Sequence, residues 1–281
     1  MEEPAHPRLS YHFTADEIIE QGRTTREYVD TIKRWLAQQN DHRIPHVQDE
    51  MVVLFLLSCE NDIDLTKNTI AMYFKCKKDG PEIFDDRDMS RAGLNKGMNT
   101  VHMSSIPTRT DENYVVHYFK LHDTSYSNFD LVPIMKLSYM LVDIAQEKNP
   151  PNGLVVVIDM KGFGLMHLTR LKMGAIKTYL QFLQEGFPLQ LKAIHILNGV
   201  YFFDKIMAIV KVFMKSELID MIKVHSPNIG QEELFRCIPQ KCLPREYGGD
   251  LQSEKELHEK TVQQFCDKQE FWRIEELIRK S

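Results

Sequence analysis

The sequence has no long apolar run. Its longest unbroken one, Met51–Leu57, spans seven residues, whereas a bilayer-spanning helix needs about 20. No transmembrane segment is expected. The opening MEEPAHPRLS is acidic and lacks an apolar stretch, so no signal peptide is expected. Basic residues are not in excess: 35 Lys and Arg stand against 40 Asp and Glu, a net charge of −5. Surfaces that neutralise phosphates normally carry the opposite sign, so no nucleic-acid partner is expected. Cysteine is sparse. Cys59, Cys76, Cys237, Cys242 and Cys266 are widely spaced, odd in number and form no CxxC pair. That pattern points to neither a zinc cluster nor a thioredoxin-like site. It reads as five reduced thiols in a cytoplasmic protein. No internal repeat and no low-complexity tract interrupts the chain.

What is present is the balance of a globular protein, 43% apolar and 27% charged over 281 residues. That length accommodates one large domain, or a helical cap and a domain of average size. The first hundred residues read as helices. Thr14 with Glu17 makes a capping box before the stripe Ile18, Ile19, Tyr28, Ile32 and Trp35. Asp49–Cys59 is a second helix, and a third follows Asp64. Pro81 and the polar run Asp85–Ser90 break the pattern.

Beyond residue 100 the period changes. Asn113–Leu121 alternates as a strand does. Leu131–Glu147 has helical spacing, and Asn149–Gly153 breaks it. Leu154–Asp159 and Leu191–Leu197 read as strands buried on both faces. Residues 168–185 and Phe202–Met214 are helical, Leu218–Val224 is strand-like, and Gln231–Phe235 begins a short helix. Alternating strands and helices predict an α/β fold with a mostly parallel sheet flanked by helices. Ser253 with Glu256 forms a second capping box, which starts a polar surface helix at the C-terminus. The expected organisation is a small all-helical domain over 1–98, an α/β domain over 99–250 and a helical tail over 251–281.

Catalytic and cofactor motifs are missing. Gly162-Phe163-Gly164 follows a strand, but His167 stands where a dinucleotide fingerprint needs its third glycine. Neither GxxxxGK[ST] nor GxSxG occurs. Asp85, Asp86 and Asp88 suggest a calcium loop, yet the twelfth position is Lys96 or Gly97 rather than a carboxylate. His117 and His122 have no third metal ligand nearby in sequence, and His195 reads as a hydrogen-bonded core residue. No nucleophile–base pair can be assembled. No catalytic residue, metal or cofactor is therefore expected. The unusual feature is Phe202–Met214, a helix apolar on more than one stripe and punctuated by Lys205, Lys211 and Lys215. Such a helix is buried or meets something apolar. It reads as a cover over an apolar cavity that also touches a membrane, its lysines reaching toward headgroups.

Several stretches, in order, resemble the CRAL-TRIO family of lipid-binding proteins. They are Asp159-Met160-Lys161-Gly162, Phe187-Pro188, Ile194-His195 with Asn198, Phe202–Phe213, and Leu243-Pro244-Arg245-Glu246-Tyr247-Gly248-Gly249. The resemblance is to the branch of the α-tocopherol transfer protein and the cellular retinaldehyde-binding protein. It runs from about residue 15 to 250, and residues 45–80 resemble the small helical domain that precedes this fold. It implies a deep apolar pocket, a mobile gate helix and a non-enzymatic carrier that exchanges one lipophilic molecule at membranes.

Carried over residue by residue, the implied ligand pocket takes Leu137, Ser138, Met140 and Leu141 from the helix before the central strand. It takes Leu154, Val156 and Ile158 from that strand, where alternation puts them on one face. Phe163, Leu165, Leu171, Tyr179, Phe182 and Leu183 follow, then Leu189, Leu191 and Ile194. Ile206, Ile209 and Val210 close it, and Phe202, Phe203, Lys205, Met207, Lys211 and Phe213 form the membrane gate. Hydroxyls to orient a ligand are Ser138, Tyr118, Tyr139 and Tyr179. Some of the list is expected to be plain core packing.

The chain departs from the family in places. Leu54-Phe55-Leu56-Leu57 replaces a basic motif of the helical domain, and Gly199-Val200 stand where proline commonly follows Asn198. Where the family's phosphoinositide contacts lie, Gln190, Lys192, Glu217 and Met221 leave one basic residue. That weighs against phosphoinositide-coupled exchange, while Lys205, Lys211, Lys215 and Lys223 offer a more diffuse attraction. The expected activity is cytoplasmic carriage, by a monomer transiently associated with membranes, of an isoprenoid: a tocopherol, a retinoid, a carotenoid or a sesquiterpenoid such as juvenile hormone. The alternatives are an interaction or signalling module that keeps the fold without transport, and a phospholipid transfer protein.

Overall fold

The structure is a computed structural model that describes residues 7–39 and 44–280. The described residues up to 100 are mainly helical, but the stripe expected as one helix from Thr14 to Trp35 is two helices, parted at Gly22 with its φ of 71°: α1 (Ala15–Glu20), α2 (Arg26–Gln38), α3 (Asp49–Ser58), α4 (Ile63–Asp79), α5 (Pro81–Phe84) and α6 (Ala92–Thr100). Thr14 and Glu17 form the expected capping box on α1. Asp62 caps α4 through the Leu65 amide. Helix α3 is apolar all round and is the hub of this region, with Met51 to Leu56 all buried.

The rest of the chain builds one five-stranded sheet in the order β1-β2-β3-β4-β5. The strands are β1 (Val101–Arg109), β2 (Tyr114–Leu121), β3 (Gly153–Asp159), β4 (Leu191–Leu197) and β5 (Ile222–Val224). β1 runs antiparallel to β2, and the other pairs are parallel. The helices are α7 (Leu131–Ala145), α8 (Met173–Glu185), α9 (Phe203–Val210), α10 (Ser216–Asp220), α11 (Gln231–Cys237), α12 (Glu254–Asp267) and α13 (Gln269–Lys280). The fold is the α/β arrangement expected, behind a helical region.

Three further local expectations need correction. β1 has no counterpart in the sequence reading, because Ser104, Ser105, Pro107 and Thr108 dilute its alternation. Pro107 is accommodated because it falls on this edge strand where the pairing with β2 is irregular between Ser105 and Arg109, so no ladder bond is lost there. The strand expected over Leu218–Val224 is helical up to Asp220 and extended only from Ile222, a short apolar run being ambiguous between the two. The C-terminal segment is not a surface appendage. On α12, Leu257, His258, Thr261 and Phe265 are buried against β1, and on α13 Phe271, Trp272 and Glu275 are buried. Averaged polarity hid this because the buried polar groups are paired. Glu275 accepts from Lys77 at 2.8 Å and from Arg87, and the Trp272 indole donates to Asp143 at 2.8 Å.

The two sheet faces are packed differently. On the back, Val116, Tyr118, Val155, Val157, Ala193 and Leu197 meet Leu234, Ile238, Leu243 and Leu257 in a closed core. Tyr118 belongs there, bonded to the Tyr247 hydroxyl at 2.9 Å and donating to Glu254 at 3.0 Å. The Leu243–Gly249 stretch closes this side, and Gly249 admits no side chain, since a Cβ would stand 2.0 Å from the Leu243 carbonyl oxygen. The front face carries the candidate site.

Candidate functional site: an apolar chamber under α9

Alternation turns His117, Phe119 and Leu121 of β2 and Leu154, Val156 and Ile158 of β3 to the front. On β4, Leu191 and Ile194 would face opposite ways in a regular strand. A bulge at Lys192 resets the register, with Leu154 opposite Leu191 but Val155 opposite Ala193. Both side chains therefore face forward, with Ile196 beyond them.

These residues do not meet a packed layer. They wall a cavity of about 370 Å³. Ile134, Met135, Ser138, Tyr139 and Val142 of α7 line it, as do Tyr179, Leu180 and Leu183 of α8, with Phe163 and Leu171 from the intervening segment. Phe203, Ile206, Met207 and Val210 of α9 cover it, continued by Met214, Leu218 and Ile222. The hollow shows in the burial pattern. Val155 and Val157 are 7% and 0% exposed, whereas their neighbours Val156 and Ile158, on the middle strand of the sheet, are only half-buried.

Of the pocket residues read from the sequence, Ser138, Leu154, Val156, Ile158, Phe163, Leu171, Tyr179, Leu183, Leu191, Ile194, Ile206 and Val210 stand in the wall. Leu137, Met140 and Leu141 do not. They are fully buried on the far side of α7, where Leu137 lies against Gly97 of α6. Phe182 and Leu189 are also core residues. The Phe182 ring sits 5.6 Å from Tyr73, 4.8 Å from Phe84 and 4.8 Å from Tyr139. Leu165 is exposed, and Ile209 is half-buried without lining the cavity.

Of the gate residues, Phe203 and Met207 point into the chamber. Phe202 is buried, its ring 6.4 Å from Phe163, while Lys205 and Lys211 are exposed. The apolar groups that α9 and its flanks leave in the open are Tyr201 and Val212, 89% and 71% exposed. The sequence reading missed both, because a lone tyrosine and valine beside phenylalanines carry no signal of their own. α9 has no fully buried residue. Among the described residues, no side chain from Phe203 to Met214 makes a hydrogen bond or an ion pair. The cover is held at its ends. Gln184 Nε2 donates to the Phe213 carbonyl at 3.0 Å and Gln184 Oε1 accepts from the Lys215 amide at 2.6 Å. At the other end, Asn198 has a left-handed φ of 50° and donates to Asp159 at 2.8 Å.

Polar groups in the wall are few. Ser138 and Tyr179 share a hydrogen bond of 3.1 Å, and the Tyr139 hydroxyl donates to the Tyr179 carbonyl at 2.6 Å. Asp159 is held by Asn198, the Lys161 amide and Tyr247, so it serves the turn after β3. His117 lies in the wall, and His122 is elsewhere, stacked on His102 at 4.1 Å. His195, on the back of the sheet, shares a hydrogen bond of 2.8 Å with His225, and the Cys237 thiol lies within 4.8 Å of both. Gln190 donates to Glu60 at 3.0 Å and Lys192 donates to Gln190. Glu217 is exposed and Met221 half-buried, and of these four positions Lys192 alone is basic.

Comparison with known proteins adds three findings. Residues 99–249 match the family model described as CRAL/TRIO domain, and residues 22–94 match that of the Pinta-like, UBA domain. The chain is 24% identical over 236 residues to an alpha-tocopherol transfer protein-like protein of Mus musculus, covering 83% of this chain and 68% of that one. It is 21% identical over 245 residues to Clavesin-1 of Xenopus laevis, covering 84% and 73%. The crystal structure of Sfh5 superposes at a TM-score of 0.50 with 12% identity, over 86% of this chain and 90% of that one, a likeness of fold.

Proposed function

The chain belongs to the CRAL/TRIO domain family of lipid-binding and transfer proteins, and from that footing we propose that it carries one lipophilic small molecule in the chamber and exchanges it at membranes by lifting α9. The observation that supports this most is the half-burial of Val156 and Ile158 at the centre of the sheet. A chain that filled its own core would bury them as completely as Val155 and Val157.

The ligand class we favour is an isoprenoid. The wall is apolar with a few hydroxyls, and 370 Å³ suits the shorter candidates, of retinoid or sesquiterpenoid size. A ligand burying about 300 Å² of apolar surface gains up to about 7 kcal/mol before ordering costs. Exchange follows from how α9 is held. Its own side chains hold it only by apolar contact, so a membrane that receives Tyr201 and Val212 offsets the cost of lifting it. Lys205, Lys211, Lys215 and Lys223 face solvent and supply a diffuse attraction to anionic headgroups. Phospholipid transfer is less favoured because the chamber wall itself carries few polar side chains to hold a charged headgroup. An interaction module would have no use for the hollow.

Native mass spectrometry of the purified chain after incubation with a panel of isoprenoids tests the proposal. One lipophile bound per chain is expected. Absence of stoichiometric uptake across the panel refutes carriage.

A further inference from the structure

Six buried side-chain nitrogens among the described residues have no hydrogen-bond partner, and only one, His117 Nε2, belongs to a residue of the chamber wall. His117 is 1% exposed, and its Nε2 is buried without a hydrogen-bond partner. It is fixed mid-strand on β2, opposite Ser105 of β1 and Val156 of β3. On its face of the sheet the strand neighbours are Ser105, with which it makes no hydrogen bond, and the apolar Phe119 and Val156. A buried imidazole with nothing to bond is costly to keep, and native structures keep few such groups without a use.

Resting on the carrier reading above, we infer that His117 is the polar anchor of the chamber, and that the cargo is a neutral lipophile bearing a hydroxyl or carbonyl oxygen that hydrogen-bonds the imidazole. A neutral imidazole carries one donor and one acceptor, so it serves an alcohol or a carbonyl. Burial, aided by the nearby Arg109 charge, pushes the His117 pKa down to about 3. The ring is thus uncharged at physiological pH and is a poor counter-ion for a carboxylate. A site built to bond an oxygen discriminates against the analogue that lacks it, because the protein's polar group is then left unpaired.

The test compares farnesol with farnesene by titration calorimetry, following ¹⁵N-labelled histidine by NMR. The wild-type chain should bind the alcohol at least about tenfold more tightly, and the His117 ring nitrogens should shift with farnesol only. His117→Phe should bind both alike, having lost the preference and kept the hydrocarbon's affinity. His117→Gln, which keeps a donor and an acceptor, should retain part of the preference and covers the case in which the phenylalanine variant does not fold. Equal binding of alcohol and hydrocarbon by the wild type, or an undiminished preference in a folded His117→Phe, overturns this inference alone. Failure of the wild type to bind either probe or any member of the isoprenoid panel overturns it together with the carrier reading.

Discussion

Replacing Val156 by phenylalanine adds a ring at the middle of the chamber wall, and the sign of the stability change separates a hollow front face from a solid one. In a close-packed core such an enlargement forces side chains off their rotamers and costs about 1–3 kcal/mol. Here Val156 faces a cavity of about 370 Å³. The roughly four added carbons gain burial at about 0.8 kcal/mol each, so up to ~3 kcal/mol before strain is subtracted. The expected result is a urea midpoint unchanged or raised, with the m-value unchanged, together with a loss of lipophile uptake because the ring occupies the ligand's space. Val157, on the closed back face and 0% exposed, is the control: Val157→Phe should destabilise by about 1–3 kcal/mol. If Val156→Phe is as destabilising as Val157→Phe and leaves uptake intact, the chamber is not where the ligand sits and the reasoning fails.

Other consequences are as specific. Tyr201→Ser combined with Val212→Ser removes the exposed apolar groups beside α9 and should weaken liposome co-sedimentation by roughly ten- to a hundredfold, about 1.5–3 kcal/mol of lost insertion, while ligand affinity in solution stays constant. Glu275→Gln leaves Lys77, Arg87 and Arg279 buried around a neutral amide. Burial raises the Glu275 pKa and those three cations override it, holding the carboxyl well below the usual range. Losing the charge should cost about 3–5 kcal/mol in urea unfolding, and a loss below ~1 kcal/mol would show that α13 is not anchored there. The His117 ring sets a pH dependence. Above about pH 6.5 it is neutral folded and unfolded, and between there and its folded value of about 3 only the unfolded chain takes up the proton. Stability therefore falls as pH falls, by about 2 kcal/mol at pH 5 from this group, and His117→Phe should remove that share of the difference in urea midpoint between pH 7 and pH 5.

The central elements were legible because their patterns are strong. Alternation over Asn113–Leu121 and the apolar runs at Leu154 and Leu191 mark β2, β3 and β4. The capping boxes at Thr14 and Ser253 mark the starts of α1 and α12. What was illegible has physical reasons. α7 is apolar nearly all round, so the sequence has no means of saying that Ser138 and Met135 face the chamber while Leu137 and Leu141 face the core. The gate pattern located α9 but not its orientation, and the aromatic left in the open is Tyr201 rather than Phe202. His117 read as one half of a failed metal pair with His122, because only the pleat turns it to the front face.

A front face left hollow has to be held by something other than its own packing, and the structure shows what does it. Glu275 and Asp143, with the cations and indole around them, join the helical region, α7 and the C-terminal tail. The aromatic rings of Tyr73, Phe84, Tyr139 and Phe182 pack between α4, α5, α7 and α8. Neither group includes a residue of α9. The proposed lifting of α9 would break apolar contacts to the chamber and leave these joints intact, so such an opening would be local rather than a step toward unfolding. This separation accounts for the buried tail. Without α12 and α13 the sheet would lose a cover on β1 and the buried cations would lose their carboxylate, and the hollow would become a route to collapse instead of a compartment.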